Sequence, residues 1–352
     1  MGLPRSKYVL EGKEGVYHCF SRCVRRAFLH GFDAHTRRDF SHRKTWLINR
    51  LRELAAIFAI DVCAYAVMEN HYHTILRTRP DIVDKWSNEE VASRWLTLFP
   101  RRCGLKGEAV SPRREQIRSL ANCPERIAVL RQRLSSLSWF MGRLNEFIAR
   151  AANKEDGVKG RFWESRFKCQ ALLDDAAIAA CMVYVDLNPI RAGRAGAPEK
   201  SNFTSIQERI RIWQKERMTV TPVSESVNAK SESIDGAELT RYWLCPISSE
   251  SDRRGILPMT AVEYFELVDK SGRMMRSDKG GTIDTELTPI LLRIGAKAES
   301  WSETIARFGH KFCLVAGLLY NLRNFADQLG KRWFKGIAAA RVAFSPSPPQ
   351  LA

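Results

Sequence analysis

Residues 66–76 read A-V-M-E-N-H-Y-H-T-I-L, and this stretch decides the fold. Upstream, Ile60 to Val67 (I-D-V-C-A-Y-A-V), and downstream, Thr74 to Leu76, are short, β-branched and aromatic-rich, a composition that suits strands. Met68-Glu69-Asn70 supplies a tight turn between them. On a strand, residues i and i+2 share a face. His71 and His73, two of the seven histidines, therefore aim at one point, with Tyr72 on the opposite face. Several roles stay open for such a pair. The histidines can be satisfied on an edge or in the interior. They can join a carboxylate in a facial triad for iron. They can also hold a divalent ion that handles phosphate, with water at its open positions. The dinuclear hydrolase pattern H-x-H-x-D-H is excluded, because Thr74, Ile75 and Leu76 follow.

Charge narrows the partner. The 352-residue chain has a net charge of +17 and is 45% apolar, which marks a globular protein with room for a sizeable core. Residues 1–200 hold 35 Lys and Arg against 22 Asp and Glu, or +13; residues 201–352 hold 21 against 17, or +4. A basic half favours a polyanion, and nucleic acid is the commonest. The nine cysteines are odd in number and contain no C-x-x-C, so neither a disulfide framework nor a zinc ribbon is expected and a reducing, cytoplasmic setting fits. No apolar run is long enough for a membrane span.

Taken in order, Val16 to Cys23 reads as a first strand, followed by Arg22, Arg25 and Arg26 and a basic loop. Ser41 to Phe58 reads as a helix on the spacing of Trp46, Leu47, Leu51, Leu54, Ile57 and Phe58. The opening order is thus β-α-β-β. Trp86 to Phe99 reads as helical with Ser87 or Asn88 as its cap. Residues 100–133 read as a charged, mostly solvated insertion. Leu134 to Ala152 is a helix with Leu137, Phe140, Met141, Leu144, Phe147 and Ile148 in one stripe. Gly160 to Leu173 reads as a further strand, in which Arg161, Arg166 and Lys168 alternate with Phe162, Trp163 and Phe167. That mixture suits either a single nucleic-acid strand or an ordinary amphipathic strand. Asp174-Asp175 caps a helix from Ala176 to Leu187, stopped by Pro189. Its buried stripe is Ile178, Cys181, Met182 and Val185. Tyr184 falls roughly 110° from the middle of that stripe, beside Asn188.

Three of these segments resemble a known family. "YAVMENHYH" resembles the strand with the His-hydrophobe-His motif of the single-tyrosine HUH transposases, and especially of the REP-associated tyrosine transposases. "GRFWESRFK" is similar to the family's W-x-x-R-F segment, and "YVDLNPIRAG" to the segment that opens with the nucleophilic tyrosine. The resemblance spans about residues 8–210. Glu69 stands where a proline is common, and Glu164-Ser165 departs from the usual residues before Arg166. The resemblance implies a ferredoxin-like or RRM-like α+β sandwich with an antiparallel sheet. It implies Tyr184 as nucleophile, with His71, His73 and Asn188 at a divalent metal, Mg2+ or Mn2+. DNA, single-stranded or hairpin, would be the partner, met by Arg22, Arg25, Arg26, Arg161, Trp163, Arg166, Lys168 and Arg191. A homodimer is left open.

The chemistry is coherent on its own terms. A tyrosine hydroxyl is a weak nucleophile at neutral pH, and a metal on the scissile phosphate offsets the developing charge. A phosphotyrosine conserves the bond for rejoining, and the chain has no G-x-x-x-x-G-K-[ST] loop for nucleotide hydrolysis. Two rivals remain: a non-catalytic binder of structured nucleic acid, and a His-ligated metal-dependent hydrolase or oxygenase using a carboxylate such as Glu69. Residues 1–213 form the expected catalytic domain and 214–235 a linker. Residues 236–344 form a mainly helical region with candidates at 287–294, 301–308 and 312–329, and Arg273, Arg276 and Lys279 fall in an expected turn. Residues 345–352 form a disordered tail.

Overall fold

The computed structural model describes residues 4–27, 29–33, 37–103, 108–219, 243–250, 252–276, 291, 293–294, 296–332 and 334–344. Its strands are β1 (Gly15–Arg22), β2 (Phe32–Asp33), β3 (Arg38–Asp39), β4 (Ile60–Val67), β5 (His71–Thr78), β6 (Arg101–Cys103), β7 (Glu108–Val110), β8 (Lys168–Leu172) and β9 (Val315–Ala316). Its helices are α1 (His42–Ile57), α2 (Pro80–Val83), α3 (Asn88–Leu98), α4 (Arg114–Ala121), α5 (Pro124–Leu134), α6 (Leu137–Asp156), α7 (Asp175–Asp186), α8 (Asn188–Arg191), α9 (Ser205–Thr219), α10 (Ala261–Arg276), α11 (Ala298–Lys311), α12 (Leu319–Gln328) and α13 (Ile337–Ala343).

The architecture is mixed α+β around a five-stranded sheet in the order β4-β5-β1-β8-β9. All pairings are antiparallel except β8 with β9, which run parallel. Met68 N–H donates to the His71 carbonyl at 2.9 Å and closes the turn between β4 and β5. Side chains alternate across the sheet, so each face has its own core. One face presents Tyr17, Cys19, Tyr72, Leu76 and Ala171 to Leu47, Leu51 and Leu54 of α1 and Phe140, Met141 and Leu144 of α6. The other presents Val16, Ala64, Ala66, Ile75 and Leu172 to α7 and to the helices of residues 261–343.

Several expectations need correction. Among the described residues, 100–133 are mostly exposed, but α4 and α5 bury Leu120, Ala121, Ile127 and Leu130, with their charges on the outer faces. The α6 stripe loses Phe147, which is exposed and lies 5.0 Å beneath the Arg50 guanidinium. The expected strand from Gly160 shrinks to Lys168–Leu172. Before it the chain runs beside the end of β1: Trp163 bridges Cys23, Glu164 N–H donates to the Arg22 carbonyl at 2.8 Å, and Val24 N–H donates to the Phe162 carbonyl at 2.9 Å.

The largest correction concerns α7 and the C-terminal region. Asp174 caps α7 as expected, its Oδ1 accepting from Ala177 N at 3.0 Å. Yet α7 is buried on nearly every side, not along one stripe. The sheet covers one side, and the C-terminal helices cover the other. The expected helix 312–329 instead begins with β9, which bonds to β8: Ala171 N–H donates to Leu314 O at 2.8 Å, and Leu173 N–H to Ala316 O at 2.9 Å. The described residues of 243–344 therefore share the sheet and a core with the first 213. Arg273 lies in α10, not in a turn. Helix α9 continues to Thr219, past the expected linker start at 214. The rest of that linker, Lys279, the tail and most of the helix candidate 287–294 lie outside the described residues. Among the described residues no helix is long and apolar enough to cross a membrane.

Candidate active site

The register between β1 and β5 builds the site. Arg22 stands opposite His71, Phe20 opposite His73 and His18 opposite Ile75. Cross-strand partners project to one face, so these residues share the face that α7 covers. β8 adds Gln170 opposite His18 and Lys168 opposite Phe20.

On that face the rings come together. The His71 and His73 centroids are 5.0 Å apart, with planes at 89°. The Tyr184 ring meets His73 edge-on at 5.8 Å and His18 at 6.1 Å. His71 Nδ1 lies 2.6 Å from Asn70 Oδ1. His73 Nδ1 lies 2.9 Å from His18 Nε2, and His18 Nδ1 lies 3.4 Å from Gln170 Oε1.

Burial sets the charge of these groups. It lowers His18 to about 4, opposed by the Gln170 hydrogen bond. It lowers His71 to about 4, with Arg22 adding repulsion and Glu69 opposing. His73 is held well below the usual histidine range by burial first, then by His71, His18, Arg191 and Arg22. All three are neutral at pH 7, the form that offers a nitrogen lone pair.

Tyr184 is half-buried, and its surroundings come from the C-terminal region. The Arg191 guanidinium sits 4.5 Å over its ring and donates to the Ala306 carbonyl at 2.7 Å. Phe308 of α11 lies 5.9 Å from the ring, and a Cβ at Gly309 would stand 3.1 Å from the Tyr184 hydroxyl. Two residues on, the fully buried Asp186 carboxylate accepts from Ser205 Oγ (2.6 Å), Ile206 N (3.1 Å) and Tyr264 Oη (2.6 Å). It ties the end of α7 to α9 and α10, and burial raises its pKa.

The other expected site residues divide. Asn188 opens α8 and is buried, but among the described residues it makes no hydrogen bond to either histidine. Nor do three His, Cys, Asp or Glu side chains gather as a metal cage among the described residues. Arg25, Arg161, Arg166 and Lys168 are exposed. Arg25 has φ of 55°, a left-handed conformation. Arg22 is half-buried at the end of β1 beside His71, and the Arg26 side chain lies outside the description. Two expected DNA contacts are otherwise engaged. Arg191 is held between Tyr184 and α11. Trp163 donates its indole N–H to the Asn145 carbonyl at 2.9 Å and packs on Tyr72, Phe162 and His30. The sequence reading missed His18 and Gln170. Alternation along V-Y-H-C-F-S-R groups His18 with Phe20 and Arg22, but only the strand pairing brings it to His73.

No family model matches this chain, and no curated protein matches it. A solved structure of a REP-associated tyrosine transposase bound to a REP hairpin aligns with 62% of this chain and 89% of its own, at 12% identity and a TM-score of 0.29. A likeness of that size carries no argument about function.

Proposed function

We propose that this protein cleaves and rejoins single-stranded or hairpin DNA, with Tyr184 as nucleophile and a divalent ion, Mg2+ or Mn2+, on His71 and His73. The observation that carries the reading is the meeting of these three rings on one face of the sheet. The order β4-β5-β1-β8 of the long strands, with α1 between β1 and β4, supports the ferredoxin-like assignment.

The donor set fits such an ion. His71 Nδ1 is engaged by the Asn70 side-chain oxygen Oδ1, which leaves Nε2 for the metal. Two neutral imidazoles leave positions for water and a phosphoryl oxygen, the open arrangement of a catalytic site. Asn188, one turn beyond Tyr184, would support it. When bound, the ion would polarise the phosphoryl oxygen and offset the charge developing there. Tyr184 Oη forms the bond to phosphorus while the bond from phosphorus to the 3′-oxygen breaks. The phenolic proton passes to solvent water, and the 3′-oxygen takes up a proton from water and leaves as a hydroxyl. Arg191, over the Tyr184 ring, holds the ring in place and puts positive charge beside it. Arg25, Arg161, Arg166 and Lys168 provide exposed charge for phosphates.

The test uses labelled hairpin DNA and Mn2+. Wild-type protein gives a covalent adduct on the peptide that contains Tyr184. Tyr184→Phe removes only a hydroxyl from a half-buried position, so stability changes by about 1 kcal/mol or less, and the adduct disappears. An adduct formed by Tyr184→Phe would overturn the assignment.

A further inference from the structure

We propose that His18 is a positioning residue: it holds His73 in the tautomer that leaves Nε2 bare, and Gln170 holds His18 in turn. The inference rests on the reading of His71 and His73 as metal ligands, and extends it to residues that touch neither metal nor DNA.

The argument is one of donors and acceptors. A neutral imidazole has one N–H and one lone pair, and an amide oxygen can only accept. With the Gln170 oxygen facing His18 Nδ1, the His18 proton sits on Nδ1. His18 Nε2 is then an acceptor, and the partner 2.9 Å away, His73 Nδ1, must be the donor. The His73 proton is thereby fixed on Nδ1, and its Nε2 lone pair faces away from the chain of bonds. His71 reaches the same state by a separate route, through Asn70 Oδ1 at 2.6 Å. Ligating histidines in metal sites are oriented in this way by a second hydrogen bond.

Position and burial explain why a histidine serves here. His18 is paired with Ile75, so it meets His73 diagonally across the strands, a span that a ring can bridge. The two rings stack at 5.1 Å and 23°. With His18 at 2% exposure and His73 at 5%, solvent is not at hand to replace the bond. His18 is also not a third ligand in this arrangement, because its Nε2 lone pair is directed at the His73 N–H. Gln170 Nε2 has no partner among the described residues, and Oε1 is the amide atom that faces His18. The reversed amide would reverse every bond in the chain and put a proton on His73 Nε2.

Nitrogen-15 NMR of histidine-labelled, metal-free protein reads the tautomers directly, and Mn2+ titration reads the affinity. Wild-type His73 is expected as Nδ1–H. His18→Leu releases it to the Nε2–H form and weakens Mn2+ binding about 10- to 100-fold, with the melting profile checked for retained folding. His18→Gln places an acceptor oxygen near the former Nε2. It restores the Nδ1–H form and brings affinity back to within a few-fold of wild type. The proposal is overturned if wild-type His73 carries its proton on Nε2, or if His18→Leu changes neither tautomer nor affinity. It is also overturned if His18→Gln loses Mn2+ as completely as His73→Ala, which would make His18 a ligand. Failure of the wild-type protein to bind Mn2+ would end the metal reading instead, and the metal-free tautomers would still decide the role of His18.

Discussion

The two faces of the sheet are built from the same strands but of different material. Toward α1 and α6, β1 and β5 present Tyr17, Cys19, Tyr72 and Leu76 to leucines and Phe140. Toward α7 they present His18, Phe20, His73 and Arg22, and β8 adds Gln170. Both faces are covered, yet burying polar groups costs free energy unless each finds a partner. The run from Gln170 through His18 to His73 supplies partners for the two rings, while Gln170 Nε2 has none among the described residues. The difference teaches that both faces carry stability by apolar burial, while only the α7 face also sets a group of neutral imidazoles beside Tyr184. It also gives the C-terminal region a physical task, since α11 and α10 close the outer side of α7.

The largest effect expected is on the apolar face. Phe140 is fully buried and meets Phe58 edge-on at 5.5 Å. Phe140→Ala should lower unfolding free energy by about 3–5 kcal/mol, measured by urea denaturation. A loss under about 1 kcal/mol would break the contrast between the faces.

Acid should act on the other face. His18 and His71 have folded pKa values lowered to about 4 from 6.5. The unfolded chain therefore takes up protons first as pH falls. Stability from these groups is complete above about pH 6.5 and is lost progressively as pH falls toward 4, by about 3 kcal/mol for one such shift. Asp186, whose pKa is raised, works in the opposite direction, so the comparison needs a variant. His71→Gln should show a shallower decline than wild type between pH 6.5 and 4. Parallel curves would mean that His71 titrates freely in the folded protein.

The same contrast explains what could be read from the chain. Local periodicity locates α1 and α3 within a few residues, because each buries one face; β4 and β5, buried on both faces, are legible from their β-branched and aromatic composition and the turn between them. Ser87 does cap α3, accepting from Glu90 N at 3.1 Å. The spacing of His71 and His73 put both on one face without knowledge of any neighbour. His18 needed the β1–β5 register, which is set by residues far apart in sequence. The burial of α7 on its outer side needed the C-terminal helices, and Ala176, Ala177, Ala179 and Ala180 were the signal passed over: small residues on several sides of one helix. β9 was lost inside an apolar run because two residues are too few to show a strand period. Helices α4 and α5 were hidden by their own exposed arginines.

The smallest expected change in stability compares two glycines, one on each side of the sheet. Gly142 lies in α6 on the apolar side, where an added methyl meets nothing within 4 Å. Gly142→Ala should raise stability by about 1 kcal/mol through helix propensity alone and leave cleavage unchanged. Gly309 lies in α11, where the methyl would stand 3.1 Å from the Tyr184 hydroxyl and 3.6 Å from its ring carbon. The propensity gain there is opposed by crowding, so Gly309→Ala should shift stability by about 1 kcal/mol or less. The ring must move by a few tenths of an ångström to make room. Reaction rates depend steeply on the placement of the attacking atom, so even that shift should slow adduct formation several-fold. Melting curves and adduct time courses on the two variants, run side by side, separate the effects. Equal cleavage by both would show that α11 gives way to the methyl and that the C-terminal region does not position Tyr184.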